Sequence, residues 1–118
     1  MFKFLYVGLG GALGAVLRYS FSFLPIASNK TIFINIIGAI VIGFVSFFSK
    51  NIKALDHRLV LFLTTGLCGG FTTFSTFSLE TVQLIEKNEY FLALLYSLGT
   101  VSLSLVGIYI GYYLAKLF

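Results

Sequence analysis

The chain has 118 residues, 58% of them apolar and only 10% charged, with a mean hydropathy of +1.01 and a net charge of +4. A soluble domain carries about 25% charged residues, and disorder needs low hydrophobicity with high net charge, so both classes are excluded. One cysteine and one histidine exclude a disulfide framework and a cysteine-based metal cluster and argue against a histidine-rich site. The cations Lys3, Arg18, Lys30, Lys50, Lys53, Arg58, Lys87 and Lys116 are scattered at the edges of apolar runs. That is a juxtamembrane distribution rather than a nucleic-acid patch.

The first apolar run covers residues 4–24 and is interrupted only by Arg18. Its glycines and arginine lie deep in the segment and no long polar region follows it, so it reads as a span and not as a cleavable signal peptide. Arg18 has two readings: an arginine snorkelling to the interface, or one packed against protein for structure or anion attraction. A loop at 25–30 follows.

The second run, 31–49, carries no charge. Thr31 and Asn35 share one face at i, i+4, and Gly38, Ala39 and Ile42 continue that face without a polar group. An amide is costly in hydrocarbon unless paired. Asn35 therefore either makes an interhelical hydrogen bond or presents an N–H to an ion or solute. A second loop covers 50–58.

The third run, 59–79, is the anomaly. Adjacent Gly69 and Gly70 are poor in a helix interior, and the hydroxyls of Thr72, Thr73, Ser75 and Thr76 can satisfy a freed backbone. This predicts a helix broken near the bilayer centre, a feature found where backbone is buried in protein or lines a cavity. Phe71, Phe74 and Phe77 alternate with those hydroxyls, offering electropositive ring edges beside O–H donors. Glu80 ends the track, either bonding inward or facing water. A third loop covers 86–89.

The fourth run, 91–114, is also uncharged. Tyr96, Thr100 and Ser104 repeat at i, i+4, i+8 on one face, while Ser97 and Ser102 fall off it. Each hydroxyl can also bond its own i−4 carbonyl. Tyr109, Tyr112 and Tyr113 suit an interfacial belt.

Each run approaches the roughly 20 residues needed to cross about 30 Å of hydrocarbon. The pairs Gly10/Gly14, Ala39/Gly43, Gly66/Gly70 and Gly107/Gly111 predict close helix contact. Four spans in so short a chain leave no room for a soluble domain and bury little against each other, so oligomerisation is expected. An even number of spans places both termini on one side, with Lys3, Lys50, Lys53, Arg58 and Lys116; Lys30 and Lys87 lie on the other, with Arg18 near them. The excess slightly favours cytoplasmic termini, and the near balance permits insertion in both orientations.

The runs Gly11-Ala-Leu-Gly-Ala-Val-Leu-Arg18-Tyr19, Thr31-Ile-Phe-Ile-Asn35-Ile-Ile-Gly38 and Gly69-Gly-Phe-Thr-Thr-Phe-Ser-Thr-Phe77 strongly resemble the Fluc/CrcB fluoride channels. The resemblance covers essentially the whole chain, and the last string is the most specific. Lys30 departs from the glycine often found before the threonine of the second motif. The resemblance implies an antiparallel, dual-topology homodimer in the cell membrane, with two fluoride pores and a central structural sodium ion. It implies main-chain carbonyls of Gly69 and Thr72 as sodium ligands, Phe74 and Phe77 as pore aromatics, and Asn35 as a fluoride donor with Ser75 and Thr76 nearby. Arg18 and Glu80 also match family positions. Placing Thr31, Tyr96, Thr100 and Ser104 on the path rests on their faces rather than on a motif. The implied activity is passive fluoride export, giving resistance to environmental fluoride.

The chemistry of the residues suits that expectation: donors and ring edges, with no cation fixed mid-path, allow weak multi-site anion binding. Two rivals stand beside it. A small dual-topology multidrug exporter needs a membrane-embedded carboxylate, which the first span lacks. A non-transporting assembly subunit does not need a broken helix. No nucleophile–base pair or metal set points to an enzyme.

Overall fold

Backbone in hydrocarbon has no water to bond, so each apolar run folds into a helix that pairs its own N–H and C=O groups. The computed structural model describes residues 2–25 and 30–118, and among these it is all-helical, without a strand. Helix α1 spans Phe2–Phe21 and α2 spans Lys30–Asn51. The third stretch is composite: α3 (His57–Leu61), a π-helical segment (Phe62–Cys68), α4 (Gly69–Phe71) and α5 (Phe74–Glu86). Helix α6 spans Tyr90–Lys116. Four helical stretches, Phe2–Phe21, Lys30–Asn51, His57–Glu86 and Tyr90–Lys116, are long and apolar enough to cross a membrane.

These coincide with the four expected runs, with shifted ends. Helix α1 stops at Phe21 instead of 24, because Ser22, Phe23 and Leu24 turn their N–H groups back onto the carbonyls of Tyr19, Ser20 and Phe21. Of the expected loop at 25–30, residues 26–29 lie outside the described residues. The third stretch extends beyond 59–79 at both ends. Asp56 caps α3 by accepting from the Arg58 N–H at 2.9 Å. The Arg58 side chain also bonds that carboxyl and holds it below the usual carboxylate range. The turn into α6 is a Schellman motif: Asn88 takes φ 62°, its N–H bonds Ile85 O at 2.9 Å, and Glu89 N–H bonds Leu84 O at 3.0 Å. Asparagine tolerates that left-handed conformation.

The helices pack as two tight pairs. Helix α1 lies on the π segment and α4, and α2 lies on α6. In the first pair a side-chain carbon at Gly10 would stand 2.9 Å from Gly66 Cα, and one at Gly70 3.0 Å from Gly11 Cα. In the second, one at Gly43 would stand 2.9 Å from Ile108 Cα. The small-residue pairs thus sit where two backbones meet, as van der Waals packing in lipid demands. Outward faces carry large apolar side chains, such as Leu5, Leu9, Leu13 and Val16 on α1 and Leu94, Leu98 and Val101 on α6.

The break differs from the expected one. Gly69 is helical, at φ −62° and ψ −38°, and α4 runs through Gly70. The chain extends instead at Thr72 (φ −78°, ψ 158°) and Thr73 (φ −149°, ψ 120°). At Gly70 the missing side chain serves contact with α1, not backbone freedom. β-Branched threonines suit the extended conformation that follows. The π segment was not expected; its Thr64 hydroxyl donates to the Val60 carbonyl at 2.7 Å. Such segments often mark functional sites.

Candidate functional site

A helix interrupted at two residues orphans backbone groups on both sides, and the site is best built by following them. In an unbroken helix the Gly70 carbonyl would accept from Phe74 N–H. It accepts instead from Arg18 Nε, 3.2 Å away on α1. The protein-packed reading of Arg18 is the one the structure adopts. The Thr73 N–H, freed from the Gly69 carbonyl, donates to Asn35 Oδ1 at 2.9 Å, and Asn35 Nδ2 donates back to Thr73 O at 3.2 Å. The side chain of α2 therefore clasps the extended residue as a second strand would. The Thr73 hydroxyl caps α5 by accepting from Thr76 N–H at 3.2 Å. The Thr72 hydroxyl and N–H both donate to the Cys68 carbonyl, at 2.8 and 2.9 Å. Among the described residues no hydrogen bond reaches the carbonyl oxygens of Gly69 and Thr72.

The interhelical reading of Asn35 is the one this geometry shows. Its amide makes an interhelical bond, yet an amide nitrogen carries two N–H groups, and Asn35 still lines an open groove.

That groove has a volume of about 840 Å³ and runs between α2, the composite third stretch and α6. Of the residues expected at the site it gathers Asn35, Gly69, Thr72, Phe74, Phe77, Thr100 and Ser104. Ser46, Ser49, Thr64, Thr65 and Thr73 add polar groups, and Lys50 adds a cation; no carboxylate lines it among the described residues. Phe74 is 76% exposed and Phe77 only 8%, so one ring stands outside the fold and its neighbour is built into it. The two meet edge-on with centroids 5.5 Å apart, and Phe77 lies 5.4 Å from the Tyr96 ring. Tyr96 donates its O–H to Glu80 Oε1 at 3.0 Å, which gives Glu80 the inward-bonding role. On α6, Ser97 bonds its own i−4 carbonyl, Ala93 O, at 2.8 Å. Thr100 does not: its hydroxyl is buried with no partner among the described residues. Back-bonding therefore does not account for Thr100.

Other expected residues separate from this set. Thr31 and Thr76 line a second, smaller groove of about 170 Å³, with Arg18, Tyr19, Ser22, Lys30, Ile34 and Thr73. Thr31 and Asn35 share a face of α2 but line different grooves, and Thr73 is common to both. Ser75 is exposed, its hydroxyl 3.2 Å from that of Thr73. Tyr96 and Glu80 pair beyond Phe77 rather than on the large groove's wall. Thr73, expected only as one of four hydroxyls able to satisfy a freed backbone, is the hub of the break. Its signal was the hydroxyl three residues before Thr76, a helix-capping pattern. Ser46, Ser49 and Thr64 carry no motif.

The family model described as CrcB-like protein, Camphor Resistance (CrcB), matches residues 5–112. The chain belongs to the CrcB family. It is 41% identical to a Helicobacter pylori (strain G27) protein named fluoride-specific ion channel FluC, over 99% of this chain and 95% of the relative. Relatives of the same name are 40% identical in Helicobacter acinonychis (strain Sheeba), over 98% and 96%, and 42% identical in Clostridium novyi (strain NT), over 94% and 91%. This CrcB-family chain, with its four apolar helices, is a multi-pass membrane protein.

Proposed function

We propose that the chain is a fluoride-selective channel, passing fluoride passively out of the cell across the plasma membrane and so lowering its cytoplasmic concentration. The observation that carries the reading is the match, over nearly the whole chain, to relatives named fluoride-specific ion channels. The groove's chemistry supports it. Amide N–H, threonine hydroxyls and phenyl edges can replace the water of a small anion. Among the described residues no carboxylate lines the wall and Lys50 is its cation; the amide, hydroxyls and rings are uncharged, so binding along them stays weak enough for the ion to leave. A negative-inside potential drives an anion outward, by about 2.3 kcal/mol per 100 mV.

The working unit in this reading is an antiparallel homodimer with the helix break near mid-membrane. Exposed Phe74 and the open groove leave a surface for a second copy, and an isologous two-fold contact places the same patch on both partners. The near-balanced flanking cations suit dual topology. The Gly69 and Thr72 carbonyls fit a structural sodium ion: among the described residues neither is given a donor, and both belong to residues on the groove wall. Two such pairs, one per subunit, would give the ion oxygen ligands. Its charge would neutralise the convergent carbonyl dipoles and tie the two breaks together.

The test is reconstitution into liposomes in sodium buffer, read by a fluoride electrode. Fluoride efflux without comparable chloride efflux is expected; no fluoride efflux, or equal chloride efflux, overturns the proposal. Phe77→Ile keeps apolar bulk but removes the ring edge, and a fall in flux of at least about tenfold is expected, the loss of about 1.4 kcal/mol of differential stabilisation. Phe74→Ile is expected to act in the same direction, while both proteins remain monodisperse on gel filtration. Unchanged flux in both would remove the rings from the path.

A further inference from the structure

The small groove has a composition that conduction through the large one does not explain. It is lined by residues from the end of α1 and the start of α2 and shares Thr73 with the large groove. Two cations, Arg18 and Lys30, line it, and no carboxylate does among the described residues. Most of its other polar groups are hydroxyls, including those of Thr31, Thr73 and Thr76. Arg18 is committed to the fold through Nε and the Gly70 carbonyl. Lys30 is differently placed. Its ammonium donates to the Ser22 carbonyl across the joint, which holds the charge at the groove, while an ammonium has two further N–H groups to offer.

We propose that Lys30 is an anion-concentrating residue at the mouth of the conduction path, setting how well the channel captures fluoride when it is scarce. The inference rests on the channel reading above. A wall of one charge sign raises the local concentration of the opposite ion and speeds its entry. Lys30 lines the small groove and Asn35 the large one, so the cation attracts the ion without holding it at the clasp. The surface past Asn35 is made largely of hydroxyls, the amide and rings, the multi-site surface that release requires.

The alternative is that Lys30 only staples α1 to α2 through Ser22, and salt separates the two. At about 10 mM ionic strength the screening length is about 30 Å, and at about 1 M it is about 3 Å. Flux is measured at low fluoride in wild type, Lys30→Gln, Lys30→Glu and Lys30→Arg at both ionic strengths. At low ionic strength Lys30→Gln is expected to lose about threefold and Lys30→Glu about tenfold, with Lys30→Arg near wild type, at the lower end of electrostatic rate effects. At high ionic strength the differences should shrink below about 1.5-fold as the charge is screened. Wild-type rates in the Gln and Glu variants at low ionic strength would overturn the proposal. So would equal losses at both ionic strengths, which mark a staple. A wild-type protein that passes no fluoride overturns the channel reading, and this one with it.

Discussion

Asn35→Asp is expected to abolish fluoride flux while leaving the protein folded. The carboxylate keeps the acceptor that Thr73 N–H uses at 2.9 Å, so half of the clasp survives. It loses the donor to Thr73 O and sets a full negative charge on the groove wall. An anion passing about 4 Å away would meet about 4 kcal/mol of repulsion at an effective dielectric near 20, or about a thousandfold in rate at 1.4 kcal/mol per decade. Electrode-measured flux checks this, with gel filtration reporting the fold. Flux within tenfold of wild type would remove Asn35 from the path. Asn35→Ala should behave differently, because both Thr73 backbone groups lose their partner, at about 1–3 kcal/mol for each group left unsatisfied. That variant is expected to lose thermal stability as well as flux.

The second large effect is expected at the helix contacts. Gly14→Val would place a carbon 2.8 Å from Phe71 N, and Gly43→Val one 2.9 Å from Ile108 Cα. Both neighbours are backbone, so a whole helix must move. Overpacking of this kind costs about 1–3 kcal/mol even where side chains can yield, and association in lipid rests on close packing. Each variant should therefore lose most of its monodisperse protein after detergent extraction. Gly8 provides the control, with nothing within 4 Å of an added carbon. Gly8→Ala should extract like wild type, gaining up to about 1 kcal/mol of helix propensity. A normal yield for both valine variants would show that the helix pairs are not held as described.

Gly69 and Gly70 illustrate how far composition reaches. Two adjacent glycines in an apolar run signal something unusual, and a broken helix was legible there. The same letters cannot say whether a glycine is present for backbone freedom or for contact. Gly70 lies against Gly11 of α1 and stays helical, while the chain opens at Thr72 and Thr73. The partners of the break are equally non-local. Arg18 reaches Gly70 across 52 residues and Asn35 reaches Thr73 across 38. No periodicity within a span encodes either pairing.

Thr31 makes the same point from the other direction. The i, i+4 rule correctly placed it on the face of α2 that carries Asn35. A third element, Thr73, then divided that face between two grooves.

The sequence by itself determined four membrane-crossing helices, the small residues that let them touch, and a wall of hydroxyls, one amide and phenyl rings. Those properties follow from run length, helical period and side-chain size, all of which are local. The tertiary structure alone decided where the third stretch opens, which side chains take up the orphaned backbone groups, and how the polar residues divide between two grooves, with Lys50 on the larger and Arg18 and Lys30 on the smaller. Such pairings depend on which helices lie side by side, and in hydrocarbon every opened backbone group must find its partner wherever the packing brings one.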